Sequence, residues 1–112
     1  MKGMLIVPLA AAALLLPAET YAQDVKTKAM DVFVAQKCTQ CHSIAGRGNK
    51  KGALDDVGKK LTAAQIKEWI TDPVSMAKKA DPPATRKPPM KKKALNGGEV
   101  NALVEYLSTL KG

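Results

Sequence analysis

The stretch "KCTQCHS", residues 37–43, holds Cys38, Cys41 and His42, which are both cysteines and the only histidine of the chain. Three soft ligands crowded into five consecutive positions ask for a shared use. A structural zinc site needs four ligands. It would have to add a carboxylate, and His42 directly follows Cys41 where zinc ligands are normally set apart. A thioredoxin-like dithiol belongs beside a βαβ pattern, and no β-rich run precedes Cys38. A disulfide between cysteines three apart closes a very small, strained loop and adds little stability.

The fourth reading is covalent haem attachment, of which C-x-x-C-H is the signature. With the motif on a helix, Cys38 and Cys41 lie one turn apart on one face. Their sulfurs can then add to the two vinyl groups along one porphyrin edge, and His42 falls beneath the ring to bind iron. All three residues serve one cofactor.

The rest of the chain suits that cofactor. "MKGMLIVPLAAAALLLPAETYAQDV" begins with Lys2, runs apolar from Met4 to Leu16 and turns polar before Thr20-Tyr21-Ala22. This is the layout of a secretory signal peptide, residues 1–22, cut after Ala22. The apolar run contains Pro8 and is shorter than the roughly 20 residues of a membrane span. The expected mature domain, 23–112, has 90 residues and keeps the net charge of +8, since Lys2 and Glu19 leave together. Aromatic residues are only 4% of the sequence. A domain this small buries a limited share of its surface, so a bulky apolar group from outside the sequence is expected to complete the core.

The apolar stripe Val25, Ala29, Val32, Phe33 predicts a helix capped by Asp24 and running into Cys38. Gly46, Gly48, Gly52 and Gly58 mark the stretch after His42 as a loop. "LTAAQIKEWITDP" reads as a second helix, with a Thr62/Gln65 capping box at its start and Pro73 as its stop. "VSMAKKA" suggests a short third helix. "DPPATRKPPMKKK" carries four prolines and predicts a stiff, extended strap. A final helix follows Asn96, with Val100, Leu103, Val104, Leu107 and Leu110 as its stripe. The fold class is all-α, helices at both ends packed around a covalent haem.

Haem iron takes a second axial ligand or leaves the place open. No second histidine exists, and beyond the leader the methionines are Met30, Met76 and Met90. A proline strap limits chain freedom before ligation, which favours Met90 at its end. Met76 and an open or lysine-ligated iron are the alternatives.

The order "DVFVAQKCTQCH", Gly-rich loop, "LTAAQIKEWITDP", "PPM", "EVNALVEYL" resembles a class I c-type cytochrome of the bacterial monohaem kind across most of residues 25–110. The resemblance implies a cytochrome c-like fold and covalent haem c with iron bound by His42 and Met90. It implies a first and last helix crossing through Ala29 and Phe33 against Leu103 and Tyr106. Trp69 resembles the tryptophan that bonds a haem propionate in many members, with an ordinary core tryptophan as the alternative. Gly52-Ala53-Leu54 stands where many members have Gly-Pro-Leu. Leu54 is then expected against the cofactor, and the Ala53 carbonyl is expected to accept the proximal histidine's N–H.

The implied function is a periplasmic one-electron carrier rather than an enzyme, monomeric and not inserted in a membrane after cleavage. Arg47, Lys50, Lys51, Lys78, Lys79, Arg86, Lys87, Lys91, Lys92 and Lys93 cluster around the expected haem opening. They suit steering toward acidic redox proteins or oxidase and reductase complexes. Export and the lack of interleaved aromatics argue against nucleic acid. The rival readings are a ligand sensor or peroxidase-like enzyme with open iron, and a fixed subunit of a larger redox complex.

Overall fold

In the computed structural model, which describes residues 18–112, helix α1 spans Ala18–Ala35. It begins before Asp24, which is therefore interior to the helix rather than its cap, and it runs unbroken through the expected cleavage point at Ala22. The apolar run expected to form the leader's core lies outside the described residues. α1 also stops short of Cys38. Lys37 takes a left-handed backbone with φ 60, a conformation that no α-helix propagates.

A 3-10 turn at Cys38–Gln40 follows, then β1 (Ser43–Ile44), β2 (Arg47–Gly48) and a second 3-10 turn at Lys50–Gly52. α2 (Val57–Lys60), α3 (Ala63–Thr71), α4 (Pro73–Lys79) and α5 (Gly97–Ser108) complete the order. The fold is all-α apart from the antiparallel β1–β2 pair, in which Ser43 faces Gly48 and Ile44 faces Arg47. The glycine-marked stretch is thus more ordered than its breakers suggested. Ala45 and Gly46, at φ 53 and 81, form the two-residue turn of that pair, the twist hairpins prefer.

The predicted Thr62/Gln65 capping box is made, and Asn96 and Glu99 form a second at the start of α5. Thr62 Oγ1 accepts from the Gln65 amide at 3.2 Å while Gln65 Oε1 accepts from the Thr62 amide at 2.8 Å. Asn96 and Glu99 exchange the equivalent bonds at 2.8 and 2.9 Å. Pro73 ends α3 by opening α4 as its first residue, with Asp72 Oδ1 accepting from the Ser75 amide. Proline suits that position because its missing N–H has no helical partner there.

α1 and α5 make the most extensive helix packing, and α3 lies against α5. The core joins Ala29, Val32, Phe33, Ile44, Ile66, Leu103 and Leu107, with Tyr106 partly buried beside them. Ala29 is fully buried, and its small side chain lets the two terminal helices approach closely. Residues 80–96 carry no regular structure, and every residue from Asp81 to Ala94 is exposed. The non-helical strap is as expected from its prolines. None of the described helices is long and apolar enough to cross a membrane.

Candidate cofactor site

The motif is held by its own backbone. The Cys41 amide donates to the Cys38 carbonyl at 3.1 Å and the His42 amide donates to the same oxygen at 2.9 Å. Cys38 and Cys41 are therefore one tight turn apart, on a 3-10 turn instead of a continuation of α1. Asn49 staples this turn to the hairpin. Its amide donates to the carbonyls of Thr39 and His42, each at 3.0 Å, and its Nδ2 donates to the Gln40 carbonyl at 3.1 Å. Gly48 must be glycine: a Cβ there would collide with the His42 carbonyl oxygen and sit 3.2 Å from Thr39 Cα, and its φ is 111.

His42 Nδ1–H donates to the Gly52 carbonyl at 3.0 Å. The acceptor is thus Gly52 and not Ala53, because the second 3-10 turn carries the Gly52 carbonyl toward the ring while Ala53 turns into extended backbone. This bond fixes the tautomer and leaves Nε2 with its lone pair, the form a metal ligand needs. Burial is the main cause holding the His42 pKa below its usual value; the Gly52 bond opposes it and the Arg86 charge adds to it. A neutral imidazole is the state that binds metal.

Cys38 and Cys41 are both free thiols of intermediate burial. Burial pushes the Cys38 thiol up, and the nearby Lys93 charge is the largest opposing influence. Among the described residues no three His, Cys, Asp or Glu side chains gather as a metal cage, so the zinc reading lacks its remaining ligands. Two thiols one turn apart and an imidazole with Nε2 unengaged fit covalent haem.

The other predicted site residues are more dispersed. Leu54 is half-buried against the core, its amide donating to the Ser43 carbonyl at 2.8 Å. Trp69 is half-buried on α3. Met76 is buried on α4, whereas Met90 is 36% exposed on the strap. The structure does not join Met90 to His42. It does bring one strap cation to the motif: Arg86 Nη1 lies against Gly52 beside the His42 ring.

Two groups escaped sequence reasoning. Gly52 was visible as a breaker, but only the folded turn shows its carbonyl at the imidazole. Arg86 was counted among surface cations, with no signal to separate it from its neighbours. Among the described residues the ion pairs are Lys60–Asp56 at 3.3 Å and Lys79–Glu68. Lys79 is therefore less available to a partner than the strap cations.

A family model described as cytochrome c matches residues 27–111. No curated protein and no solved structure matches the chain significantly.

Proposed function

The chain belongs to the cytochrome c family, and on that premise we propose that it is an exported, monomeric one-electron carrier with iron held by His42 and Met90. Family membership makes it a haem c electron-transfer protein. The location, the axial pair and the partners are the proposal. The observation that carries it is the His42–Gly52 bond at 3.0 Å, which occupies Nδ1 and leaves the Nε2 lone pair of the residue following Cys41 for a metal.

Haem iron supplies a one-electron couple, and an axial His/Met pair raises its potential relative to other ligand sets. The residues of the chain do the rest. Cys38 and Cys41 hold the macrocycle by its edge through thioether bonds. His42 would hold the iron through Nε2, its ring oriented by the Gly52 carbonyl and its backbone held by Asn49. Met90 would be the second ligand, and Leu54 and Trp69 would pack against the bound cofactor. The strap cations, exposed and free of ion pairs among the described residues, steer acidic redox partners.

The test is a visible spectrum of the exported protein, oxidised and reduced, beside Met90→Ala. The wild type should show the far-red sulfur-to-iron band and keep its haem through denaturation, and Met90→Ala should lose the band. A band that survives Met90→Ala refutes Met90 as ligand. A second reading leaves the iron open to a small ligand, as in a sensor or peroxidase-like protein. It is favoured by the exposure of Met90. Ready binding of carbon monoxide by the wild-type ferrous protein would select it.

A further inference from the structure

We propose that Arg86 is a positioning residue: its guanidinium, seated against Gly52 beside the His42 ring, pins the strap to the motif and holds a positive charge there. The proposal rests on the reading of His42 as an iron ligand.

The geometry is specific to this corner. A Cβ at Gly52 would collide with both the Cys41 carbonyl oxygen and Arg86 Nη1, and would stand 2.9 Å from His42 Nδ1. Gly52 is thus a gap between the motif and the strap, and Arg86 fills it. Among the described residues Arg86 has no ion-pair partner, so its charge is not neutralised by a carboxylate.

Two consequences follow. Arg86 is four residues before Met90, and an extended chain spans at most about 3.6 Å per residue. Anchoring Arg86 therefore keeps the Met90 backbone within about 14 Å of the Arg86 backbone. A strap held at Arg86 has less freedom to lose when Met90 closes on a ligand. Second, oxidised iron carries one more positive charge than reduced iron. A fixed cation beside its ligand disfavours the oxidised form and raises the potential. Arg86 is exposed overall, so salt screens part of this effect.

The experiment compares midpoint potentials of the haem-loaded wild type, Arg86→Gln and Arg86→Lys at low and high salt. Arg86→Gln should lower the potential, Arg86→Lys should restore most of it, and the gap should narrow as salt rises. Because Arg86 is exposed, these variants leave the core intact. Gly52→Ala, which displaces the guanidinium, should lower the potential as well. An unchanged potential in Arg86→Gln at low salt overturns the proposal. So does an Arg86→Lys variant that falls as far as Arg86→Gln. Loss of the far-red band in Met90→Ala is scored separately, so a failed ligand assignment is distinguishable from a failed role for Arg86.

Discussion

Gly48→Ala tests whether the hairpin clamps His42 in place. Two costs coincide at this residue. Its φ of 111 is a conformation that alanine rarely adopts, worth about 1–3 kcal/mol. Its new Cβ would also meet the His42 carbonyl oxygen and Thr39 Cα, which are backbone atoms that cannot swing aside. Overpacking of this kind costs about 1–3 kcal/mol. The sum is about 2–6 kcal/mol, a large share of the roughly 5–15 kcal/mol that holds a domain folded. For a domain of this size each kcal/mol lowers the melting temperature by roughly 4–8 °C. A drop of roughly 10–40 °C is expected on thermal unfolding followed by circular dichroism. Gly46→Ala is the internal control. Its φ is 81, but nothing lies within 4 Å of the added Cβ, so only the backbone term applies, about 1–2 kcal/mol. Equal destabilisation by the two substitutions would show that the His42 carbonyl does not abut Gly48, and the clamp argument would fail.

Phe33→Ala removes a side chain only 2% exposed from the α1–α5 contact, and should cost about 3–5 kcal/mol in denaturant unfolding. A cost under about 1 kcal/mol would mean that the terminal helices do not rely on this contact. The Tyr106 pKa is raised by burial and by Asp55. The stability it adds is present below its ordinary value near 10 and is lost as pH rises through the higher folded value. Tyr106→Phe should flatten that alkaline decline, and an identical pH profile in the variant would contradict the assignment. Replacing Lys91, Lys92 and Lys93 by glutamine should slow electron transfer with an acidic partner and weaken its dependence on salt. Unchanged rates at low salt would place the encounter elsewhere.

The elements that were legible in the sequence are those fixed by near neighbours. Thr62/Gln65 and Asn96/Glu99 announce their helices because a capping box closes within four residues. The Val100–Leu107 stripe and the Ala29–Phe33 stripe show their buried faces through periodicity alone. The Cys38-Cys41-His42 chemistry is equally local. What stayed hidden depends on distant contacts. The left-handed turn at Lys37 that separates α1 from the motif has no composition signal. Pro73 reads as a stop, but whether it also starts a helix depends on Asp72 folding back to cap it. The choice of Gly52 over Ala53 as acceptor is decided by a turn whose residues, Lys50 and Lys51, say little about its path. Met90 and Arg86 lie on a strap without periodicity, so their placement cannot be read from spacing.

The tail beyond α5 is tied to the segment between the hairpin and α2 and to α2 itself. The Gly58 amide donates to the Leu110 carbonyl at 2.7 Å, and the Gly112 amide donates to the Asp55 carbonyl at 2.9 Å. Asp55 Oδ1 in turn accepts from the Ala45 amide at 2.6 Å, two residues from where the hairpin leaves His42. A disturbance of this tail would thus travel through Asp55 to the hairpin that follows His42, and affinity tags placed there belong behind a generous spacer.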